Sequence, residues 1–348
     1  MTMFQRLPRT LSTAFVLTTL AWLAPAASAA GPITIKMATL IPEGSSWHQI
    51  LKESADRWNK ISNGQVRVVI YAGGTQGDDP DLVRKLRLGT LNAALLSSIG
   101  VGEIEKAVWA LSIPMAYTDY DEMYYVHERL RPKLEASMES KGLVVLNWED
   151  AGWGHFFSQK PVATPDDMRA QKLFVWAGDA KSIEIWRSAG FNAVPLPGTE
   201  LATALQTGLV NAFTSPPQVA VITRSYENAK NMTNLNWGVL LGALVINKPV
   251  WERIPEDIRP KLLAESRETG LRMQKEVREA AAADIAAMKK RGLHVVEVDA
   301  KTRDLWRTAV EPTYAKLRNE FMPPWAFDEA MKYRDEYRKQ HSAAPVKK

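Results

Sequence analysis

The sequence has 348 residues and no cysteine, which removes thiol nucleophiles, thiolate metal sites and any disulfide framework at once. Histidine is scarce too. The five are scattered, none falls into an HExxH pattern, and no GxSxG elbow is present, so zinc hydrolysis and serine acyl transfer lack their usual ligands. Long apolar runs are also missing: the best, residues 11–23, is well short of the ~20 residues that span a bilayer. Charge of one sign is not concentrated anywhere. The 44 Lys and Arg and 39 Asp and Glu are interspersed, and no basic cluster carries interleaved aromatics, which argues against a nucleic-acid surface. Repeats and low complexity are confined to the alanines at 280–283 and the tail SAAPVKK.

What is present begins with an export signal. Arg6 and Arg9 precede the apolar run, and Ala27, Ser28 and Ala29 offer a small-residue cleavage site, so residues 1–29 read as a signal peptide. Its loss would take the net charge from +5 to +3. The remaining length suits about two domains. From Ile33 the pattern alternates strand and helix. Ile33, Ile35 and Met37 share a strand face, Ser45 or Ser46 caps a helix at 47–61, and strands at 66–70, 91–97 and from 143 flank helices at 80–88 and 121–140. Such alternation predicts a largely parallel α/β sheet covered on both faces, with ligands at the carboxyl ends of the strands. The loops to watch are therefore 40–47, 73–79 and 97–102, which contain Trp47, Gln76 and Ser97. A second alternation follows: strand to Trp176, helix 180–188, short strand to Pro195, helix 199–207, strand 210–215. Then come an apolar strand at 237–246, a helix from about 255 to 291, a strand at 293–298 and a helix at 302–321.

Possible chemical constellations are weak. His155 lies near Asp150 and Ser158 in sequence, yet a polar or cleft-lining role outweighs catalysis. Glu149 and Asp150 read as a solvated loop or hinge rather than an acid–base pair. The segment GGTQGDD at 73–79 lacks both the Walker lysine and the GxGxxG spacing, which leaves it poor as a phosphate cradle. No cofactor is expected.

The ordered series KPVATPDDM, QKLFVWA and TELATALQTGLVNAF resembles the solute-binding proteins of TRAP (tripartite ATP-independent periplasmic) transporters. ITIKMATLIPEGS, GGTQGDDPDLVRKLRLGTLNAALLS and VINKPVWERIPEDIRPKL extend the likeness over nearly the whole mature chain. The resemblance implies a two-domain, periplasmic-binding-protein-like (type II) α/β fold with a hinged cleft. It further implies domain I at 30–151 plus about 243–255, domain II at 152–242, a domain-spanning helix at 256–292, and a C-terminal strand and helix at 293–340 packing on both. The implied activity is capture of a small solute in the periplasm, without catalysis, for delivery to the TRAP permease membrane subunits.

The departures from that family define the ligand expectation. Typical members place a carboxylate-clamping arginine where this chain has Phe174, a second arginine near Gly154, and an asparagine where Ser215 and Pro216 stand. Phenylalanine offers no fork of donors to a carboxylate. Phe174 and Trp176 point to one face of their strand, and Trp153, Pro216, Pro217 and Trp237 lie in neighbouring segments. The expected ligand is apolar, aromatic or lipid-like, contacting Trp47, Gln76, Ser97, Trp153, His155, Phe174, Trp176, Ser215, Pro216 and Trp237. Two alternatives stay open: an organic acid bound through a relocated basic residue (Lys181, Arg187 or Arg224), or a sensory or envelope-interaction protein.

Overall fold

The computed structural model describes residues 31–177 and 180–341, with the side chains of 180–182 also outside the description. The leader expected at 1–29 and the tail at 342–348 lie outside the described residues. All the architecture below belongs to one compact unit, Pro32–Lys348.

Four strands come first: β1 (Ile33–Thr39), β2 (Val66–Tyr71), β3 (Ala93–Ser97) and the long β4 (Leu143–Trp153). Next are β5 (His155–Ser158), β6 (Lys172–Trp176), β7 (Asn192–Leu196), β8 (Ala212–Ser215) and β9 (Asn231–Thr233). The last two are β10 (Val239–Asn247) and β11 (His294–Val296). They make two sheets, ordered β2-β1-β3-β10-β4 and β11-β9-β5-β8-β6-β7. In the first sheet β2, β1 and β3 are parallel, whereas β10 runs antiparallel to both β3 and β4. β4 therefore runs the same way as β2, β1 and β3, and the largely parallel sheet expected from the sequence carries one antiparallel strand, β10. β10 is buried along almost its whole length, as a strand covered on both faces must be.

The chain passes between the sheets where β4 gives way to β5, with only Gly154 between them. It returns at Trp237–Gly238, just before β10. These two crossings are bonded to each other: Gly154 N–H donates to Gly238 O at 2.8 Å, and Trp237 N–H donates to Gly154 O at 3.0 Å. The approach is close enough that a Cβ at Gly154 would lie 3.0 Å from Thr214 Cγ2 and 3.3 Å from Gly238 O. Glycine is what lets the crossing strands touch.

The long helix, Arg259–Lys290, is a third link. Its 32 residues extend roughly 48 Å at 1.5 Å each. Leu262, Met273 and Val277 pack in the core of the first sheet, while Met288 joins Phe157, Phe213 and Met232 in the second. Gly270 allows close approach to β4, since a Cβ there would lie 2.8 Å from Trp148 O. The helix starts later than the pattern suggested. Pro260 has no N–H and fits only the first turn, which moves the start from about 255 to Arg259.

The C-terminal region departs most from expectation. The helix expected at 302–321 is Ala300–Val310, after which Pro312 breaks the regular pattern and short helical turns continue to Phe321. A further helix, Pro324–His341, was not anticipated, because the Pro323–Pro324 pair reads as a stop but here opens a first turn. It lies against the helix Tyr120–Ser140, with Arg338 Nε donating to Glu122 Oε1 at 2.5 Å and Lys133 Nζ donating to Glu329 Oε1 at 2.5 Å.

Candidate functional site: a two-chambered cleft

Two adjoining cavities lie between the sheets. The larger, about 350 Å³, collects the carboxyl ends of β1, β2 and β3: Thr39 to Pro42, Gly73, Gly74 and Ser97, with Trp47 from the helix Ser46–Ile61. This is where a switch in strand order opens a crevice in an α/β sheet. Glycines shape the floor. Gly73 and Gly74 adopt positive φ (67° and 69°), which turns their N–H groups onto Ile41 O and Thr39 O at 2.8 and 3.1 Å. The opposite wall comes from Trp176, Gly198, Thr199, Leu201, Ala202, Thr214 and Ser215, and Met273 reaches in from the long helix.

The smaller cavity, about 190 Å³, lies behind Trp176 and is largely aromatic. Trp109, Phe174, Trp186, Phe191, Trp237 and Phe321 line it. Trp176, Thr214, Ser215, Val219 and Leu240 border both chambers and form the partition. Phe174, only 4% exposed, meets Trp176 edge-on with ring centres 5.3 Å apart. That contact follows from their i, i+2 positions on β6.

Across the mouth, Asp78 joins the lobes. One oxygen caps the helix Asp79–Arg87 through the Asp79 N–H at 2.9 Å, and the other accepts from Gly198 N–H of the opposite lobe at 2.6 Å. The conformation described is therefore closed at this point.

Ionisable groups on the walls are few and of one kind. Among the described residues lining either chamber there is no Lys, Arg or His; the ionisable ones are Glu149 and Asp150, both on the larger. They are 7% and 2% exposed. The solvated loop expected for this pair is thus corrected: they sit on β4, beneath the long helix. Asp150 accepts from the Tyr124 hydroxyl and lies 3.5 Å from Arg278, yet burial still raises its pKa. The Glu149 side chain has no hydrogen bond or ion pair among the described residues, and its Oε2 is a buried atom without a partner. Burial, with the neighbouring Asp150 charge adding, pushes its carboxyl up to about 8. Indole Nε1 atoms of Trp47 and Trp176 also lack partners.

Of the residues anticipated from sequence, Trp47, Ser97, Trp176 and Ser215 line the larger chamber; Phe174, Trp176, Ser215, Pro216 and Trp237 line the smaller. Three line neither. Gln76 turns outward and accepts from Lys85 Nζ at 2.9 Å. Trp153 is core, tilted against Tyr120 at 5.7 Å. His155 is buried on β5, where burial lowers its pKa to about 4 despite the opposing influence of the Thr233 and Leu235 backbone, so it is neutral at neutral pH. Two of the basic residues considered as substitutes also point elsewhere: Arg224 is exposed and paired with Glu227 at 2.9 Å, and Arg187 donates to Ala193 O at 3.3 Å. The Lys181 side chain lies outside the described residues. Sequence reasoning missed Glu149, Leu240 and Met273 as lining residues. A usable signal existed for Glu149, a charged residue inside the otherwise apolar strand LVVLNWE.

Among the described residues no cluster of His, Asp and Glu is arranged to hold a metal, and no helix is long and apolar enough to cross a membrane. Residues 37–320 match the model of the family described as bacterial extracellular solute-binding protein, family 7. The chain is similar to the C4-dicarboxylate-binding periplasmic protein DctP of Rhodobacter capsulatus, 28% identical over 300 residues, covering 83% of this chain and 87% of that protein. It is also similar to the sialic acid-binding periplasmic protein SiaP of Vibrio cholerae, at 22% over 307 residues, 87% and 94% of the two chains. Among solved structures, a TRAP periplasmic solute-binding protein from Ralstonia eutropha with bound (S)-2-acetolactate superposes with a TM-score of 0.81 at 20% identity, covering 87% of this chain and 99% of that one. One from Fusobacterium nucleatum with bound sn-glycerol-3-phosphate gives 0.80 at 23% identity, covering 89% and 99%. The architecture is the two-domain periplasmic-binding-protein-like α/β fold.

Proposed function

The chain belongs to the bacterial extracellular solute-binding proteins of family 7, a family of receptors rather than enzymes, and from that premise we propose that it captures an apolar or aromatic solute in the periplasm for a TRAP permease. The observation that carries the ligand class is the cleft wall: aromatic and aliphatic side chains interrupted by serine and threonine hydroxyls, with no basic side chain among the described lining residues; the family resemblance puts Phe174 where typical relatives clamp a carboxylate. A carboxylate buried there would face two acidic side chains and no fork of donors. An apolar solute needs neither. Burying on the order of 150 Å² of its surface contributes roughly 4 kcal/mol, and edge-on aromatic contacts add to that.

Closure supplies the signal for delivery. The Asp78–Gly198 hydrogen bond is formed only when the lobes meet, so a solute that fills both walls favours the closed state by its differential affinity. Export through the leader at 1–29 and release to the permease complete the reading.

The relatives named above carry acids or a phosphate, and an organic acid is the competing ligand class. The test is mass spectrometry of the small molecule extracted from protein purified natively out of its own periplasm. A stoichiometric aromatic or lipid-like compound without a carboxylate supports the reading. A stoichiometric carboxylate overturns it and directs mutagenesis to Lys181.

A further inference from the structure

Glu149 is a buried carboxyl on the wall of the larger chamber, its Oε2 without a partner, and the described residues of that wall offer no cation. Its neighbours account for why this is unusual. Asp150, next in sequence, and Asp79, also buried, each have one oxygen bonded, to the Tyr124 and Ser97 hydroxyls, and the other buried without a partner. Of the three, Glu149 is the one whose side chain makes no hydrogen bond at all. A Cβ on Gly242 of β10 would lie 3.3 Å from Glu149 Oε1 and 2.7 Å from Leu96 O, so the absence of a side chain at Gly242 leaves the carboxyl its room. Removing a carboxyl from water without a compensating bond is costly, and a structural role would have supplied that bond from the protein.

We infer that Glu149 is the polar anchor of the binding site, and that the solute bears a protonated amine which donates to this carboxyl while its apolar body fills the cleft. The inference rests on the apolar reading of the walls given above and names the group that reading leaves out. An amine is favoured over a hydroxyl for two reasons. A cation stabilises the ionised form of Glu149 and offsets the field of Asp150 beside it, whereas a hydroxyl does neither. The walls within the chamber, Trp47, Trp176 and Phe213, present aromatic rings, which attract a cation through their faces and repel an anion.

The test is calorimetric titration of the full exported chain with three probes of one shape: phenylpropylamine, phenylpropanol and phenylpropanoate. The amine is expected to bind about tenfold or more tightly than the alcohol, and Glu149→Gln is expected to abolish that preference by lowering the amine's affinity about tenfold more than the alcohol's. Equal affinity for amine and alcohol, a preference that survives in Glu149→Gln, or no binding of the amine at millimolar concentration overturns the anchor and leaves the apolar reading standing. Tightest binding of the carboxylate overturns both. Should the Gln variant fail to fold, the ratio measured on the unaltered chain decides the matter.

Discussion

The two chambers flanking Trp176 occupy one cleft but are built by opposite means. In the smaller, rings meet rings: Trp186 stacks on Trp237 at 5.4 Å, Phe156 stacks on Trp306 just behind, and no ionisable side chain is among the described lining residues. In the larger, turn backbone and glycines make the floor and a partnerless carboxyl sits in the wall. Packed rings set a shape. A carboxyl that no protein group bonds sets a polarity. Under the proposed reading, specificity in this cleft divides by place: how large and flat a solute is becomes the business of the aromatic chamber, and which end it presents becomes the business of Glu149.

Placing charge in the aromatic chamber should break that division most severely. Phe174→Arg buries a guanidinium against Trp176 and the Phe157–Phe213 stack, and a loss of about 3–5 kcal/mol in denaturant unfolding is expected. Recovery of most of that loss on adding a small carboxylate would show that the missing guanidinium, and not the shape of the chamber, excludes acids; unchanged stability would mean the chamber is wetter and more polar than its lining implies.

Removing charge from the larger chamber should have the next largest effect, and one that depends on pH. The folded-state carboxyl of Glu149 titrates near 8 against an ordinary 4.5. Its favourable contribution is therefore complete below pH 4.5 and is lost as pH rises through 8, because the unfolded chain ionises first. Melting curves of Glu149→Gln should lack this decline and exceed the unaltered protein by the order of a few kcal/mol at pH 8. Asp79, raised to about 6 from 3.8, has the same sign and keeps a smaller decline in the variant. His155 has the opposite sign, its stabilisation fading as pH falls from 6.5 toward 4. Parallel pH profiles for the two proteins would show that Glu149 is ionised in the folded chain.

Erasing the partition comes third. Trp176→Ala joins the chambers, and it should cost about 1–3 kcal/mol of stability and about tenfold in affinity for an aromatic solute, read by fluorescence titration of the remaining tryptophans. An unchanged affinity would mean that the ligand occupies one chamber only. The smallest effect is expected at the mouth. Asp78→Ala removes a helix cap and the bond to Gly198, about 1 kcal/mol in unfolding, with a shift toward an open form visible as a larger radius of gyration in solution scattering. No change in that radius would exclude the bond as a determinant of closure.

Much of this was legible before any coordinates. Alternation of apolar positions located most strands and helices to within a few residues, and the i, i+2 spacing placed Phe174 and Trp176 on one face, which the 5.3 Å ring contact bears out. The failures share a cause. Gln76 looked like a ligand contact until Lys85 turned it outward, Trp153 looked like a cleft aromatic until Tyr120 drew it into the core, and Glu149 looked solvated until the long helix covered it.

The sequence by itself determined the α/β periodicity and the family likeness, and that likeness implied Phe174 at the position of a clamping arginine, because each depends on residues within a few positions of one another. Only the tertiary structure decided that the cleft has two chambers, that Asp78 bridges to Gly198 and that Glu149 is buried without a partner. Those facts depend on contacts between segments more than a hundred residues apart. Neither period nor propensity encodes such contacts; packing does.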